Sequence, residues 1–311
     1  MIDSLVAAAR SHAERHGRDG IARTAIPGLT VLCELQPTAL QYAISSPLVA
    51  IVLQGDKRVT MGGSSFDFGA GESLLITADV PTVSQVTRAS ARLPYLSLVV
   101  DLDLAMIAGL VAEMGPAPGQ AGRKVSVDAT EAEVADAALR LLRLLERPSG
   151  LSILGSSLMR ELHFWLLSGR HGGAIRALGL PDGPARRIAR AVAVIRQGFA
   201  GVLRVEALAQ AAGMSLSAFH AHFRAATSLT PLQFQKQLRL IEARRRLMSE
   251  GETIAHAAYA VGYESVPQFT RDYGRLFGQP PGRDIRALRA RPRPGLGGEA
   301  TSPHAPSRSA Q

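Results

Sequence analysis

The feature that most constrains the fold is a pattern that occurs twice in the last part of the chain. Each copy has a run of small residues, a glycine and a second run with helical periodicity, at about 205–226 and about 253–277. Gly213 and Gly262 occupy the same place in the two copies, 49 residues apart. Glycine adopts the positive φ that a tight turn between two helices needs. The pattern therefore predicts a duplicated helix-turn-helix unit.

The second helix of each unit is predicted to have one apolar and one polar face. Ser265 lies three residues before Gln268, the spacing of a capping box, and Pro267 falls in the first turn. The packed faces comprise Leu216, Phe219, Phe223 and Ala226 in the first unit and Val266, Phe269, Tyr273, Leu276 and Phe277 in the second. The outward faces comprise Ser217, His220 and Arg224, and then Gln268, Arg271 and Arg275, with Thr270 beside them.

A further helix is predicted to join the two units. Thr230 offers an N-cap, Pro231 a first helical residue and Gln233 a capping partner, and apolar residues recur as far as Met248. The 18 residues from Pro231 to Met248 would span about 27 Å, which is compatible with helices in major-groove segments about 34 Å apart. The three arginines at 244–246 are expected on a solvated face of this helix, where one or two of them could contact phosphates.

The segment at about 188–288 resembles the DNA-binding domain of the AraC/XylS family. VEALAQAAGMSLSAFHAHF in the first unit and IAHAAYAVGYESVPQFTRDYGRLFGQPP in the second carry the likeness. It implies an all-α domain whose third and sixth helices lie in adjacent major grooves of double-stranded DNA. The residues expected to contact DNA are then Ser217, His220, Arg224, Gln268, Thr270, Arg271 and Arg275. Gln268, Thr270 and Arg271 are the candidates for contacts with base edges. Arg224 and Arg275 are each expected to contact either a base or a phosphate.

The charge distribution favours the same part of the chain. Residues 1–180 hold 16 Lys and Arg against 17 Asp and Glu, whereas residues 181–311 hold 19 against 9, within a net charge of +9. A basic carboxy-terminal part favours phosphate contacts. Arginine-rich composition can also reflect a GC-rich genome, so the duplicated pattern carries the argument.

The amino-terminal part has the sequence pattern of β strands. Short β-prone runs separated by turn residues extend from about Pro27 to Val100 and predict an antiparallel barrel or sandwich, with tight turns at 62–64 and 68–72. VLQGDKRV, FDFGAGESLLI and PYLSLVVDLD resemble the amino-terminal domain of an AraC-type subfamily. The resemblance implies that residues 1–180 form a cupin-like domain for small-molecule binding or dimerisation, with helices at its end.

Enzyme chemistry is not expected in this barrel. None of the eight histidines falls in the strand region, so the usual imidazole ligands of a metal are missing there. The sequence shows no Ser/His/Asp arrangement and no phosphate-binding glycine loop. We therefore expect no metal, no cofactor and no catalysis. Cys33 is expected to be inert packing, although an electrophile sensor is conceivable, and Lys57 and Arg58 are expected to be surface charges of a hairpin rather than anion ligands.

Helices are predicted around the β region. The amino terminus has the pattern of a short amphipathic helix and not that of a signal peptide. No segment is apolar enough to span a membrane, so a cytoplasmic protein is expected. The later helical segments are predicted at 104–114, 129–147 and 151–169, with a break at 148–150, a linker at 170–183 and a disordered tail at 291–311. Their apolar faces could pair across a two-fold axis or form intrachain core.

Together these patterns predict an α+β multidomain protein and a sequence-specific transcription regulator of the nucleoid. Activation beside RNA polymerase is the commoner mode that the family implies, although repression would use the same contacts. The expected partners are double-stranded DNA, RNA polymerase, a small-molecule effector of unknown identity and a second copy of the chain. The alternatives are a non-specific nucleoid-associated protein and a cupin-type enzyme.

Overall fold

The computed structural model describes residues 2–115, 125–249 and 251–290, within which the chain forms ten strands and twelve helices. The strands are β1 (Ile21–Arg23), β2 (Leu29–Glu34), β3 (Gln41–Ser45), β4 (Leu48–Gln54), β5 (Asp56–Met61), β6 (Ser64–Gly69), β7 (Glu72–Ile76), β8 (Val80–Arg88), β9 (Tyr95–Asp101) and β10 (Val125–Ala129). The helices are α1 (Ile2–His16), α2 (Leu104–Met114), α3 (Ala132–Leu144), α4 (Pro148–Ser168), α5 (Gly172–Gly179), α6 (Pro184–Gln197), α7 (Val205–Ala212), α8 (Leu216–Thr227), α9 (Pro231–Ser249), α10 (Ile254–Ala260), α11 (Val266–Phe277) and α12 (Pro281–Ala290). The tail predicted at 291–311 lies outside the described residues.

The amino-terminal domain contains two antiparallel sheets, which confirms the antiparallel β fold expected from the sequence. Their strand orders are β1-β2-β9-β4-β7-β10 and β3-β8-β5-β6. The hairpin of β5 and β6 pairs Met61 with Ser64 around Gly62 and Gly63, both at positive φ as such a two-residue turn requires. The turn at 70–71 instead passes the chain from one sheet to the other. The three strands that sequence reasoning missed, β1, β3 and β10, are short.

Helices cover the outer face of the six-stranded sheet. The apolar faces of α1, α3 and α4 pack with alternate residues of β2, β4 and β9 into one core, to which Leu162 and Leu166 of α4 belong. The apolar face of α4 is thus largely intrachain core, which decides between the two alternatives that the sequence left open for these residues. Cys33 lies in the same core, and burial raises the pKa of its thiol, as inert packing requires.

Three expectations for this domain are wrong. The predicted break at 148–150 is the first turn of α4, because proline fits the first helical position. The predicted linker at 170–183 contains helix α5, whose Ile175 and Leu178 are buried against α2 and α4. Lys57 is a half-buried side chain with its ammonium 5.9 Å from the centre of the Tyr95 ring, and burial lowers its pKa.

The structure also assembles a serine, a histidine and an aspartate that are distant in sequence. His171, just before α5, lies with Nε2 2.9 Å from Ser73 Oγ, and with Nδ1 3.0 Å from Ser126 Oγ and 3.4 Å from Asp128 Oδ2. Sequence reasoning did not foresee this arrangement. Ser73 is only 2% exposed, so a substrate has no access to its hydroxyl. The cluster attaches α5 to the edge of the sheet formed by β7 and β10.

A second buried histidine joins α4 to the start of α2. His163 Nδ1 lies 2.8 Å from the carbonyl oxygen of Met159, and Nε2 accepts a hydrogen bond of 3.2 Å from the backbone N–H of Asp103. These contacts hold the ring in its neutral tautomer. Among the described residues no group of three or more His, Cys, Asp and Glu side chains could hold a metal ion, and no helix has the length and apolar character of a membrane span.

Acidification is expected to destabilise the amino-terminal domain. Burial lowers the pKa of His163 and of His171 from the ordinary value near 6.5. The unfolded chain therefore binds more protons than the folded chain just below that pH, and stability falls as the pH drops from about 6.5 through the lowered values. The melting temperature should decrease between pH 7.5 and 5.5 in wild type. His171→Asn should flatten this dependence while the exposed-site control His220→Asn retains it; equal slopes for the three proteins would contradict the assignment.

Candidate nucleic-acid interface

Two helix-turn-helix units are present where the duplicated pattern predicts them. Helices α7 and α8 form the first and α10 and α11 the second, and α9 packs against helices of both. Gly213 and Gly262 turn the chain with φ of +62° and +85°. At Gly262 a Cβ atom would also lie 2.0 Å from the carbonyl oxygen of Ala200. The second turn thus needs glycine for its backbone conformation and for a close approach.

Side-chain caps begin most of these helices. Ser215 accepts a hydrogen bond from the N–H of Ala218, and Thr253 accepts one from His256. Thr230 and Gln233 cap α9 reciprocally, as predicted from their spacing. Ser265 does not follow this pattern. It occupies the N-cap position of α11, but its side chain makes no capping hydrogen bond, so the predicted capping box does not form.

Helix α8 presents the predicted polar face to solvent. Phe219 and Phe223 are fully buried against α6 and α9, whereas Ser217, His220 and Arg224 are exposed. Leu216 is 45% exposed and does not belong to the packed face. As the first residue of α8 it precedes the turn that packs, so helical periodicity alone misplaced it.

Helix α11 has the same arrangement. Gln268, Arg271 and Arg275 are exposed, and Phe269, Tyr273 and Phe277 are buried. Thr270 is half-buried. At about 100° per residue it lies about 100° around the helix from Arg271, about 160° from Gln268 and about 20° from Phe277, so it belongs to the packed side of α11 and not to the exposed face.

The acidic residue of α11 points away from the exposed face. Asp272 is 6% exposed and faces α9, where Lys236 Nζ lies 2.7 Å from its Oδ1. Arg275 makes only a long 3.8 Å contact to the same oxygen. In the part of the chain that the structure describes, neither Arg224 nor Arg271 has a carboxylate partner. The face is therefore cationic and open to an anion such as a phosphate.

An arginine that sequence reasoning missed holds the two units together. Arg239 of α9 donates to the carbonyl oxygens of Phe199, Ala200 and Gly201 before α7, at 2.7, 3.0 and 2.8 Å, and to that of Gly262 at 2.9 Å. Its planar fork thus joins the entrance of the first unit to the turn of the second. Burial lowers the pKa of its guanidinium. Backbone acceptors leave no pattern in a sequence, so this role could not be foreseen.

The arginines at 244–246 do not form the solvated, phosphate-facing row that was expected. Arg244 donates to both carboxylate oxygens of Asp284 at 2.7 and 2.9 Å, and Asp284 also accepts from the Tyr273 hydroxyl at 2.7 Å. These hydrogen bonds keep the pKa of Asp284 low despite its burial. Arg245 and Arg246 pair with Glu242 and Glu252. The partner of Arg244 comes from α12, that of Arg246 from the segment after α9, and that of Arg245 from α9 itself, so that only Arg245 stays on a solvated face.

The Arg244 network is also where the amino-terminal domain touches the second unit. Tyr42 of β3 lies edge-on to Phe277 of α11, with ring centres 4.7 Å apart. The Arg244 guanidinium lies 5.0 Å from the centre of the Tyr42 ring and 4.7 Å from that of Phe277. The aromatic surface of one domain therefore covers a buried ion pair of the other.

Comparison with known proteins agrees with this architecture. The family model described as the AraC-type transcriptional regulator N-terminus matches residues 25–174, and a helix-turn-helix domain model matches residues 208–287. The chain belongs to the AraC-type transcriptional regulators. This family consists of regulators rather than enzymes.

Curated relatives of this AraC-type chain include the HTH-type transcriptional activator RhaS of Escherichia fergusonii, 30% identical over 150 residues, or 47% of this chain and 52% of that protein. RhaS of Escherichia coli strain SE11 is 29% identical over 149 residues, with the same coverage. The chain spans about half the length of these curated relatives.

Solved structures share the fold. Apo ToxT from Vibrio cholerae superposes with a TM-score of 0.55 at 9% identity, covering 86% of this chain and 100% of that one. ToxT bound to an unsaturated fatty acid superposes with a TM-score of 0.53 at 11% identity, covering 83% and 93%. At these identities the likeness concerns the fold.

Proposed function

We propose that this AraC-type protein is a sequence-specific DNA-binding regulator that places α8 and α11 in two successive major-groove segments of one duplex. The observation that carries the proposal is the pair of exposed polar faces held by one continuous element. Helix α9 has 19 residues and spans about 28 Å at 1.5 Å per residue. Arg239 fixes it to both units, so the two faces have one set separation.

The exposed side chains divide by the contacts they can make. Gln268 and Arg271 carry hydrogen-bond donors suited to adenine and guanine edges. Thr270 is the third candidate for a base contact, although it is half-buried on the packed side of α11. Arg224 and Arg275 contact bases or phosphates, while Ser217 and His220 contribute from the first unit. These assignments rest on exposure and on the absence of ion pairs for Arg224 and Arg271 within the described residues.

In this proposal the regulator is an activator, as the name of its RhaS relatives suggests. It binds next to RNA polymerase in the nucleoid. It works as a homodimer and responds to a small molecule through its amino-terminal domain of residues 1–180. Fatty-acid binding by the structurally similar ToxT supports effector control. We propose no catalytic role for it, in keeping with the regulator family that it matches, and the buried Ser73 hydroxyl is not accessible to a substrate.

Selection of bound duplexes from a random pool by the full-length protein, at stated near-physiological salt, tests the proposal. We expect enrichment of a motif about two helical turns long per protomer, with a repeated or inverted arrangement if the protein binds as a dimer. Binding without any enriched motif would contradict sequence-specific regulation and favour the non-specific nucleoid alternative.

A further inference from the structure

The duplication in the DNA-binding part includes a third helix. Helix α6 packs against α7 and α8, as α9 packs against α10 and α11. The buried residues of α6 and α9 match at a separation of 52 residues. The matching pairs are Ile188 and Leu240, Ala191 and Ala243, and Ile195 and Leu247. The turn glycines match at 49 residues, because the connection after α6 has seven residues and the connection after α9 has four.

One arginine occupies the same place in both three-helix units. Arg187 of α6 and Arg239 of α9 are 52 residues apart, in register with the buried residues. Arg187 Nη1 donates to the carbonyl oxygen of Gly213 at 3.1 Å, and Arg239 Nη1 donates to that of Gly262 at 2.9 Å. In each unit a guanidinium therefore reaches the turn glycine, where it also meets the negative end of the preceding helix dipole.

The turn that Arg187 contacts sets the direction of α8. Within the turn, the N–H of Gly213 donates to the carbonyl oxygen of Gln210, and the N–H of Met214 donates to that of Ala209. These bonds join the turn only to α7. Arg187 joins it to α6, against which α8 also packs. The angle between α8 and the rest of the unit therefore depends on this contact.

A second arginine of α6 has a different target. Arg190 donates to the carbonyl oxygens of Ala211 and Ala212 at 3.1 and 3.4 Å. It holds the end of α7, whereas Arg187 holds the turn glycine itself.

Arg187 and Arg239 differ in what else they bind. Arg239 also donates to three carbonyl oxygens of the connection between α6 and α7. The Nε of Arg187 is buried and has no hydrogen-bond partner among the described residues. Arg187 therefore acts on its turn through one hydrogen bond, which a lysine can also make, whereas a lysine cannot reproduce the fork of Arg239.

We propose that Arg187 is a positioning residue for DNA recognition, which holds the turn of the first unit so that α8 enters its major-groove segment at the angle that base contacts need. The inference rests on the proposed function and deepens it, because it assigns the control of one half of the binding site to α6. The half that α8 contacts should depend on Arg187, and the half that α11 contacts should not.

Hydrogen exchange of the full-length protein without DNA tests the hold on the turn. The N–H groups of Gly213 and Met214 close the first turn, and those of Gly262 and Tyr263 close the second turn in the same pattern. In Arg187→Ala, exchange at the first pair should be about fivefold faster, as the loss of one hydrogen bond implies, and exchange at the second pair should be unchanged. Arg187→Lys should restore the wild-type rate. Unchanged exchange at the first turn of Arg187→Ala, or equal acceleration at both turns, would overturn the inference.

Titrations on a duplex recovered by selection test the link to recognition. Affinity is compared for this duplex and for two versions in which one half of the motif is randomised, and Arg271→Ala identifies the half that α11 contacts. Arg187→Ala should reduce the preference for the intact α8 half about fivefold and leave the preference for the α11 half unchanged. A merely destabilising substitution lowers the amount of active protein and moves neither preference. Wild-type preferences for both halves in Arg187→Ala would overturn the link.

The salt dependence of binding separates positioning from direct contact with DNA. If Arg187 were a phosphate ligand, Arg187→Ala would reduce the slope of log affinity against log salt by about one. We expect equal slopes for wild type, Arg187→Ala and Arg187→Lys, and a reduced slope in Arg187→Ala would overturn the inference. Failure to recover any specific duplex would instead count against the proposed function, and the exchange result would stand independently.

Discussion

Arg239→Ala is expected to lower the free energy of unfolding of the DNA-binding domain by about 3 kcal/mol and to weaken specific DNA binding. The substitution leaves the carbonyl oxygens of Ala200 and Gly262 without this donor, whereas those of Phe199 and Gly201 keep a hydrogen bond from Gln235 Nε2. Each unpaired polar group that stays buried costs about 1–3 kcal/mol, and partial hydration recovers some of this. Denaturant unfolding followed by circular dichroism measures the loss.

Arg245→Ala is the matched control on the same helix. Arg245 pairs with Glu242 near the surface, with 57% of its side chain exposed, and such a pair contributes about 0–1 kcal/mol. Arg239→Lys should recover little, because an ammonium cannot reproduce the planar fork. Equal, small losses in the alanine variants would contradict the role of Arg239 in joining the two units.

Arg271→Ala is expected to weaken binding at the preferred site by about 1–3 kcal/mol, or roughly 5-fold to 150-fold, and to relax the sequence preference at one base pair. The side chain is exposed at the centre of the polar face of α11. Equilibrium titrations on the selected duplex and on a random duplex of the same length measure both effects.

Arg160→Ala removes the same charge from the amino-terminal domain, where Arg160 pairs with Glu113, and should leave the ratio of specific to random affinity unchanged. If Arg271→Ala lowered both affinities equally, Arg271 would be a phosphate contact without a part in base recognition.

The parts of the fold that could be predicted are those with a local cause. Gly213 and Gly262 mark turns because positive φ favours glycine, and Thr230 with Gln233 marks a helix start because the cap is formed within four residues. The exposed positions of α8 and α11 followed from helical periodicity. The pattern failed at Leu216, which begins its helix and is exposed, and at Thr270, which is half-buried.

The parts that could not be predicted depend on residues distant in sequence. Composition suggested a linker at 170–183, yet this segment contains α5, and Ile175 of α5 is buried against α2 and α4. Arg244 appeared to be one of three solvated arginines, but the chain returns at α12 to put Asp284 beside it. The Ser73–His171 contact likewise exists only after the elements are packed.

The central claim is that one rigid unit places two recognition helices in successive major-groove segments. It is tested most directly by inserting base pairs between the two halves of the selected motif. An insertion of 5 base pairs turns one half to the other side of the duplex, and an insertion of 10 restores the face but moves it about 34 Å further away. Because α9 and Arg239 fix the separation, both insertions should reduce affinity to the level of a single half-site. Recovery of full affinity at 10 base pairs would contradict the account.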